Sequence, residues 1–169
     1  MEKMKSMIYL ILCLAIVSCK KEVKDKEENT FAFEEEPETI KTAKERKEEL
    51  TSKGFEIFDY VDEETKDTVL MQQYFIAFLK RGPNRSQNKE EEDGLQALHM
   101  AHLGSMYEQG FADISGPFGD DGDIRGITIY NVPTQKMADS LANSDPMVQA
   151  GRLQIEIHPW WAAKGFSLR

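Results

Sequence analysis

The chain has 169 residues, a formal net charge of −9 and only two cysteines. An acidic surface of this kind repels phosphate backbones and anionic lipid headgroups, so the charge argues against a nucleic-acid partner. The stretch from residue 51 onward is long enough for one modest domain and no more.

The N-terminus predicts secretion. A short charged region precedes an apolar stretch over residues 8–17, which at ten residues is too short to cross a bilayer. The join Ile-Val-Ser-Cys at 16–19 looks like a bacterial lipobox, in which Cys19 becomes the lipidated first residue of the mature protein. We therefore expect residues 1–18 to be a signal peptide, and lipid on Cys19 to anchor the protein in the cell envelope, at the outer membrane. An ordinary cleaved signal with an incidental cysteine is the alternative.

Cleavage before Cys19 and lipidation of that residue would leave the mature chain without a reactive thiol. Cys13 lies in the discarded apolar region and Cys19 would carry lipid, so neither a free thiol nor a disulfide would remain. A cysteine nucleophile and a cysteine-rich zinc site are thereby excluded. The mature chain would keep 19 basic and 29 acidic residues, a net charge of about −10.

Residues 19–50 predict a charged tether and a short lead-in helix. Residues 20–38 contain too little apolar surface to offset the entropy of ordering them. Their lysines and acids resemble bacterial signals for surface display, with a plain linker as the alternative. Residues 39–50 combine glutamates and lysines at spacings that favour a polar helix.

Residues 51–169 predict one domain. Residues 55–60 and 68–79 are β-rich and flank an acidic turn, which indicates a hairpin. The pattern that follows reads strand, helix, strand, strand, helix, strand. The predicted strands are 73–80, 111–115, 124–132 and 153–158, and the predicted helices are 87–109 and 133–143. Both faces of the first of these strands are apolar, so one face is expected to meet helices and the other a partner surface.

Two histidines lie on the first of these helices, at positions 99 and 102. Projection at about 100° per residue places both on the apolar face. A histidine in such a position either packs with its nitrogens satisfied or, because partial burial favours the neutral imidazole, serves as a general base near neutral pH. The two side chains could also share a metal ion with a further ligand, but the sequence lacks the HExxH pattern, and we predict no metal.

Three other positions carry candidate site residues. Asp145 precedes Pro146, which predicts a helix start capped by the carboxylate, with or without an added role in a site. Arg125 could meet an anionic ligand or pair with the neighbouring aspartates. Trp160 could line a pocket or an interface. Together with His102, Arg125 and Trp160 are the predicted ligand-binding residues.

Four short motifs follow one another along the domain. They are His-Met-Ala-His at 99–102, Ser-Gly-Pro-Phe-Gly-Asp-Asp-Gly at 115–122, Asp-Pro-Met-Val-Gln-Ala-Gly at 145–151 and Glu-Ile-His-Pro-Trp-Trp at 156–161. In order and spacing over residues 71–162 they resemble the YCII-related domain family. The resemblance implies an α+β fold of ferredoxin-like topology and of the dimeric α/β-barrel type, here with an added N-terminal hairpin. It also implies a homodimer and a His-Asp dyad, formed by His99 and Asp145.

The leading functional hypothesis is a small-molecule site that performs proton abstraction, isomerisation or elimination on a small oxygenated compound. His99 would be the base and Asp145 would orient it, with no cofactor. Related barrel families include lactone isomerases and dehydrohalogenase-like lyases, an analogy at the level of the fold. The alternative is a non-catalytic ligand-binding or assembly module on the membrane surface, in which the histidines pack and the aromatic residues bind a ligand or partner.

Overall fold

A computed structural model describes residues 41–166. The signal peptide, Cys19 and the 20–38 tether lie outside these residues, so those predictions and the predicted domain boundaries stay predictions. Within the described residues, no helix has the length and apolar character needed to cross a bilayer.

The described chain forms four helices and five strands. In chain order they are α1 (Ala43–Ser52), β1 (Ile57–Val61), β2 (Thr68–Arg81), α2 (Lys89–Glu108), β3 (Ala112–Pro117), β4 (Ile124–Tyr130), α3 (Gln135–Asn143), α4 (Pro146–Gln149) and β5 (Leu153–Ala163). The order from β2 to β5 confirms the predicted strand, helix, strand, strand, helix, strand pattern, and β1 with β2 confirms the added hairpin.

Strand β2 is the centre of a single antiparallel sheet. Strand β5 pairs with residues 71–81 of β2 along one edge, and β4 pairs with residues 75–80 along the other. Strand β3 lies outside β4, which gives the spatial order β5-β2-β4-β3. This is the ferredoxin-like arrangement of an α+β fold that the resemblance implies. Strand β1 pairs with residues 68–72, so it continues the edge that β4 occupies.

The core lies between the helices and one face of the sheet. Alternate residues of β2 point into it, since successive side chains of a strand face opposite sides. The buried cluster combines Phe75, Ala77 and Leu79 of β2 with Met106 of α2, Ala138 and Ala142 of α3 and Met147 of α4. On the opposite face of β2, Ile76 and Phe78 are only half-buried. That open face is where the apolar pattern of the strand predicts a partner surface, and the homodimer stays a prediction.

Two elements differ from the sequence-based expectation. Strand β5 continues to Ala163, past the predicted end at residue 158 and through Pro159. Among the described strands β5 pairs only with β2, so it is an edge strand, and edge strands tolerate a residue without a backbone N–H. Helix α4 is a separate four-residue element, of which the sequence predicts only the helix start at Asp145.

The loop after β2 is bound closely to the turn between α4 and β5. The Gly82 amide donates to the Arg152 carbonyl at 2.8 Å, and the Asn84 amide donates to the Gly151 carbonyl at 3.0 Å. The Asn84 side chain donates to the Ala150 carbonyl at 2.9 Å. A Cβ atom on Gly82 would lie 2.2 Å from the Gly151 carbonyl oxygen, so only glycine permits this approach. The loop therefore has a fixed position beside α4.

We predict opposite effects of alanine at two glycines. Gly82→Ala should lower the free energy of unfolding by about 1–3 kcal/mol, because the new methyl group forces the two segments apart. Gly104 lies within α2, where an added Cβ atom would meet nothing within 4 Å, so Gly104→Ala should raise the free energy of unfolding by about 0.5–1 kcal/mol. Urea denaturation measures both. A Gly82→Ala variant as stable as the wild type would show that the close contact is unimportant.

Candidate functional site

Helix α2 carries His99 into the interior. The helix begins at a capping box, in which the Asn88 side chain accepts from the Glu91 amide and the Glu91 side chain accepts from the Asn88 amide. Acidic residues in the first turn add favourable interaction with the helix dipole. His99 and Met106 are the buried residues of this helix, and His99 is 8% exposed.

His99 forms a short hydrogen bond with Asp145. Its Nδ1 lies 2.6 Å from Asp145 Oδ2, and Asp145 is only 3% exposed. An ionised carboxylate only accepts hydrogen bonds, so Nδ1 carries the proton and donates it. This contact selects the tautomer in which Nε2 is unprotonated and has a free lone pair.

Asp145 also caps helix α4. Its second oxygen, Oδ1, accepts a hydrogen bond from the Met147 amide at 2.8 Å, and Pro146 occupies the first turn. The two structural roles left open by the sequence therefore occur together, with one oxygen for the helix and one for the histidine. Because the cap fixes the carboxylate, it also fixes the orientation of the imidazole ring.

A cavity of about 430 Å³ lies against His99. Its apolar wall includes Leu79 of β2, Leu103 of α2 and Met147 of α4. The Nε2 atom of His99 has no hydrogen-bond partner within residues 41–166, and the side chain lines the cavity. Nε2 is therefore the ring atom that a ligand can reach.

The paired strands β3 and β4 form another wall of this cavity. A Cβ atom on Gly126 would lie 2.5 Å from the Gly116 carbonyl oxygen, so the strands approach more closely than an L side chain would allow. The Ser115 and Thr128 hydroxyl oxygens lie 3.1 Å apart across the same strands. Ser115, Gly116 and Gly126 line the cavity on this side.

Comparison with known proteins identifies the family. The sequence profile of the YCII-related domain matches residues 74–161, which include both His99 and Asp145. The chain belongs to the YCII-related domain family. The YCII-related domain thus comprises β2 to β5 and the helices between them, while α1 and β1 precede it.

The other comparisons are less informative. No curated protein matches the chain. Among solved structures, the 5-chloro-2-hydroxyhydroquinone dehydrochlorinase of Burkholderia phenoliruptrix, in complex with 2,5-dihydroxybenzoquinone, is similar at 21% sequence identity and a TM-score of 0.40. The match covers 52% of this chain and 92% of that chain. This likeness is too distant to indicate a reaction or a substrate.

Tyr130 of the YCII-related domain lies close to the pair. Burial, and after it the Asp145 carboxylate, raise the pKa of Tyr130. The phenol therefore stays protonated at neutral pH.

The predicted ligand-binding residues lie in different places. Arg125 lines the cavity, and it also pairs with the Asp121 carboxylate at 3.4 Å, as the alternative expected. His102 does not line the cavity; it is half-buried and its Nε2 has no partner within residues 41–166. Trp160 lies outside the cavity lining, with its ring 6.2 Å from that of Tyr74. Ligand binding by His102 and Trp160 stays a prediction.

The sequence does not indicate two of the three arginines that line the cavity, Arg85 and Arg152. Arg85 lies in the loop that is bound to the α4–β5 turn, and Arg152 begins the approach to β5. Only Arg152 has a signal in the sequence, because it directly follows the Ala-Gly that ends the motif at 145–151. No three His, Cys, Asp or Glu side chains converge as metal ligands in the part of the chain that the structure describes.

We predict that Asp145→Asn will reverse the tautomer of His99 without unfolding the domain. The asparagine oxygen can still cap α4, while its amide group donates to Nδ1 and moves the ring proton to Nε2. Two-bond ¹H–¹⁵N correlation spectra should show this exchange of the protonated nitrogen.

Asp145→Ala should instead lower the free energy of unfolding by about 2–4 kcal/mol, since it removes the cap and leaves a buried donor unpaired. Thr134→Ala, which removes only the cap of α3, is the matched control and should cost about 1 kcal/mol. Equal losses for Asp145→Ala and Thr134→Ala would show that the His99 contact adds nothing to stability.

Proposed function

We propose that the YCII-related domain holds a small-molecule site in which His99 accepts a proton from a small oxygenated compound, during an isomerisation or an elimination. The observation that carries this proposal is the buried pair of His99 and Asp145 on the wall of a cavity, with Nε2 of His99 left without a partner among the described residues. A histidine with only a packing role would have no need of an unpaired ring nitrogen beside a cavity.

The geometry supports one sequence of proton movements. A C–H or O–H group of the ligand points at Nε2, which accepts the proton and becomes part of an imidazolium ion. Asp145 Oδ2 already accepts the hydrogen bond of Nδ1, and its negative charge stabilises the imidazolium. Isomerisation then returns the proton to a different atom of the ligand, while elimination expels a leaving group with the electron pair.

The pair needs little reorganisation for this step. Asp145 is held by the Met147 amide, and His99 is held by Asp145 within a buried contact. Groups fixed in this way before the ligand binds lower the barrier, because no free energy is spent in orienting them during the reaction. The cavity volume of about 430 Å³ falls in the usual range for sites that hold one small molecule.

Exchange of carbon-bound hydrogen tests the base directly. In D₂O, the wild-type chain should catalyse loss of the C–H signal of one or more members of a panel of cyclic 1,3-diketones, lactones and hydroxyquinones, followed by ¹H NMR. His99→Gln should lower that rate by about 10²–10⁴-fold, the usual contribution of a general base. His158→Gln is the matched control, because His158 is exposed on β5, bonds Glu156 and lies outside the cavity lining.

The same experiment separates the enzyme from a binding module. Compounds that perturb the His99 resonances without any catalysed exchange, equally in wild type and the Asp145→Asn variant, would favour a non-catalytic ligand-binding role. Exchange that survives His99→Gln undiminished would contradict the proposed base.

We propose in addition that lipid on Cys19 anchors the domain in the bacterial envelope, at the outer membrane. The support is the sequence alone: an apolar stretch over residues 8–17 followed by the Ile-Val-Ser-Cys join. Cys19→Ser should move the protein from the membrane to the soluble fraction and remove the acyl mass from the N-terminal peptide. Cys13→Ser, within the apolar stretch, is the control and should stay lipidated. An unmodified Cys19 in the wild-type protein would contradict the anchor.

The homodimer is likewise a proposal. Its support is the open face of β2, where Ile76 and Phe78 are half-buried and Trp160 is exposed. The sedimentation coefficient of the Cys19→Ser chain distinguishes one copy from two.

A further inference from the structure

The charge of the cavity wall is opposite to that of the chain. The chain has a net charge of −9. The cavity wall, by contrast, includes three guanidinium groups, those of Arg85, Arg125 and Arg152, and one carboxylate, that of Glu92. This concentration of positive charge beside His99 is not explained by the proton transfer itself.

Arg152 is already neutralised. Its side chain is 9% exposed, and its Nη2 donates to the Glu92 carboxylate at 2.5 Å. Its Nη1 donates to the Gln87 side chain at 3.0 Å. A buried guanidinium needs partners of this kind, because an isolated buried charge is strongly unfavourable. Arg152 and Glu92 together therefore form part of the wall rather than a free cation.

Arg125 is only partly neutralised. One nitrogen, Nη1, donates to the Gly122 carbonyl at 3.2 Å and lies 3.4 Å from the Asp121 carboxylate. The Asp121 side chain is 99% exposed, and ion pairs with such an exposed partner contribute little. The other two guanidinium nitrogens of Arg125, Nε and Nη2, make no hydrogen bond within residues 41–166.

Arg85 has no ion pair at all among the described residues. Burial, and then the charges of Arg152 and Arg81, lower the pKa of Arg85, with a smaller effect in the same direction from Arg125 and an opposing effect from Glu92. An arginine remains protonated at neutral pH in spite of such a shift. Arg85 thus lies in the repulsive field of its neighbouring arginines, and a bound anion would relieve that repulsion.

We infer that the ligand of this cavity is a small organic anion, whose negative group binds between Arg85 and Arg125 while the rest of the molecule faces His99. Guanidinium groups donate paired hydrogen bonds that match planar oxyanions. The inference rests on the proposed function for the position of the ligand beside His99, and it adds the chemical class of that ligand.

The fold keeps this cationic wall in place. Arg85 belongs to the loop that Gly82 and Asn84 bind to residues 150–152, and Arg125 precedes Gly126 at the start of β4. Negative charge that develops on the ligand when His99 removes a proton would lie in the field of the same two arginines. Positive charge close to the reacting atoms stabilises such a charge, and because Arg85 is exposed this effect should weaken as the salt concentration rises.

Paired acids and amides test the inference in the Cys19→Ser chain. The probes are benzoate, 2,5-dihydroxybenzoate and cyclohexanecarboxylate, each beside its neutral carboxamide, in titration calorimetry. At least one acid should bind the wild-type chain tightly and its amide at least about tenfold more weakly. Arg85→Gln and Arg125→Gln should each weaken binding of that acid by about 10- to 100-fold and leave binding of its amide unchanged.

Arg81→Gln is the matched control. Arg81 is exposed and outside the cavity lining, yet its charge acts on Arg85, so the variant should change affinity for the acid by less than about threefold. Arg85→Lys should restore part of the affinity. If no acid binds more tightly than its amide, or if Arg81→Gln has the same effect as Arg85→Gln, the inference is wrong.

The two proposals fail in different ways. His99→Gln should retain the preference for acid over amide, because the arginines are unchanged, while it abolishes hydrogen exchange. A result in which C–H exchange is lost but the preference for the acid remains therefore bears on His99. A result in which that preference is lost but C–H exchange remains bears on Arg85 and Arg125.

Discussion

Strand β2 is the constraint on which the rest of the molecule depends. Its 14 residues pair with β5 along one edge and with β1 and β4 along the other, so every strand but β3 is placed by direct contact with it. Its alternating side chains supply the floor of the core on which the helices pack. Since β2 ends at the loop that carries Arg85 and also contributes Leu79 to the cavity, the same strand determines where the sheet and the site meet.

The candidate site depends on the separate hydrogen bonds that the two carboxylate oxygens of Asp145 accept. One oxygen begins helix α4 and the other orients His99. A carboxylate shared in this way is held by the backbone, so its contact with the histidine does not depend on a flexible surface chain. Helix α4 is short, and its far end is bound by the loop after β2. The His99–Asp145 pair is therefore supported by two segments that are distant in sequence.

The sequence predicts the fold well where patterns are local. The alternation in β2, the periodicity of α2 and the Asp-Pro helix start each follow from neighbouring residues, and all three are observed. The His99–Asp145 contact is implied only by the family resemblance, because 46 residues separate the partners and no local pattern reports their distance.

Of the cationic wall, the sequence indicates only Arg125 as a residue that could meet an anionic ligand. Arg85, Arg125 and Arg152 come from a loop, the start of a strand and a turn, and only the pairing of β2 with β4 and β5 brings them together. The sequence could not show that Arg152 would be buried against Glu92 while Arg85 stays without an ion pair among the described residues, since 30 acidic residues are spread along the chain and spacing does not show which of them meets which arginine. The extent of burial, and not the residue type, distinguishes the role of Arg152 from that of Arg85.

The exposed position of Arg85 bears on how members of such a family can diverge. The His99–Asp145 pair is buried and tied to a helix start, so most substitutions there disturb the packing of the interior. Arg85 projects from a loop whose backbone is held by Gly82 and Asn84, and its own side chain contributes little to the core. Selection can therefore exchange that single side chain and alter the charge of the cavity wall, while the buried His99–Asp145 contact is inherited intact.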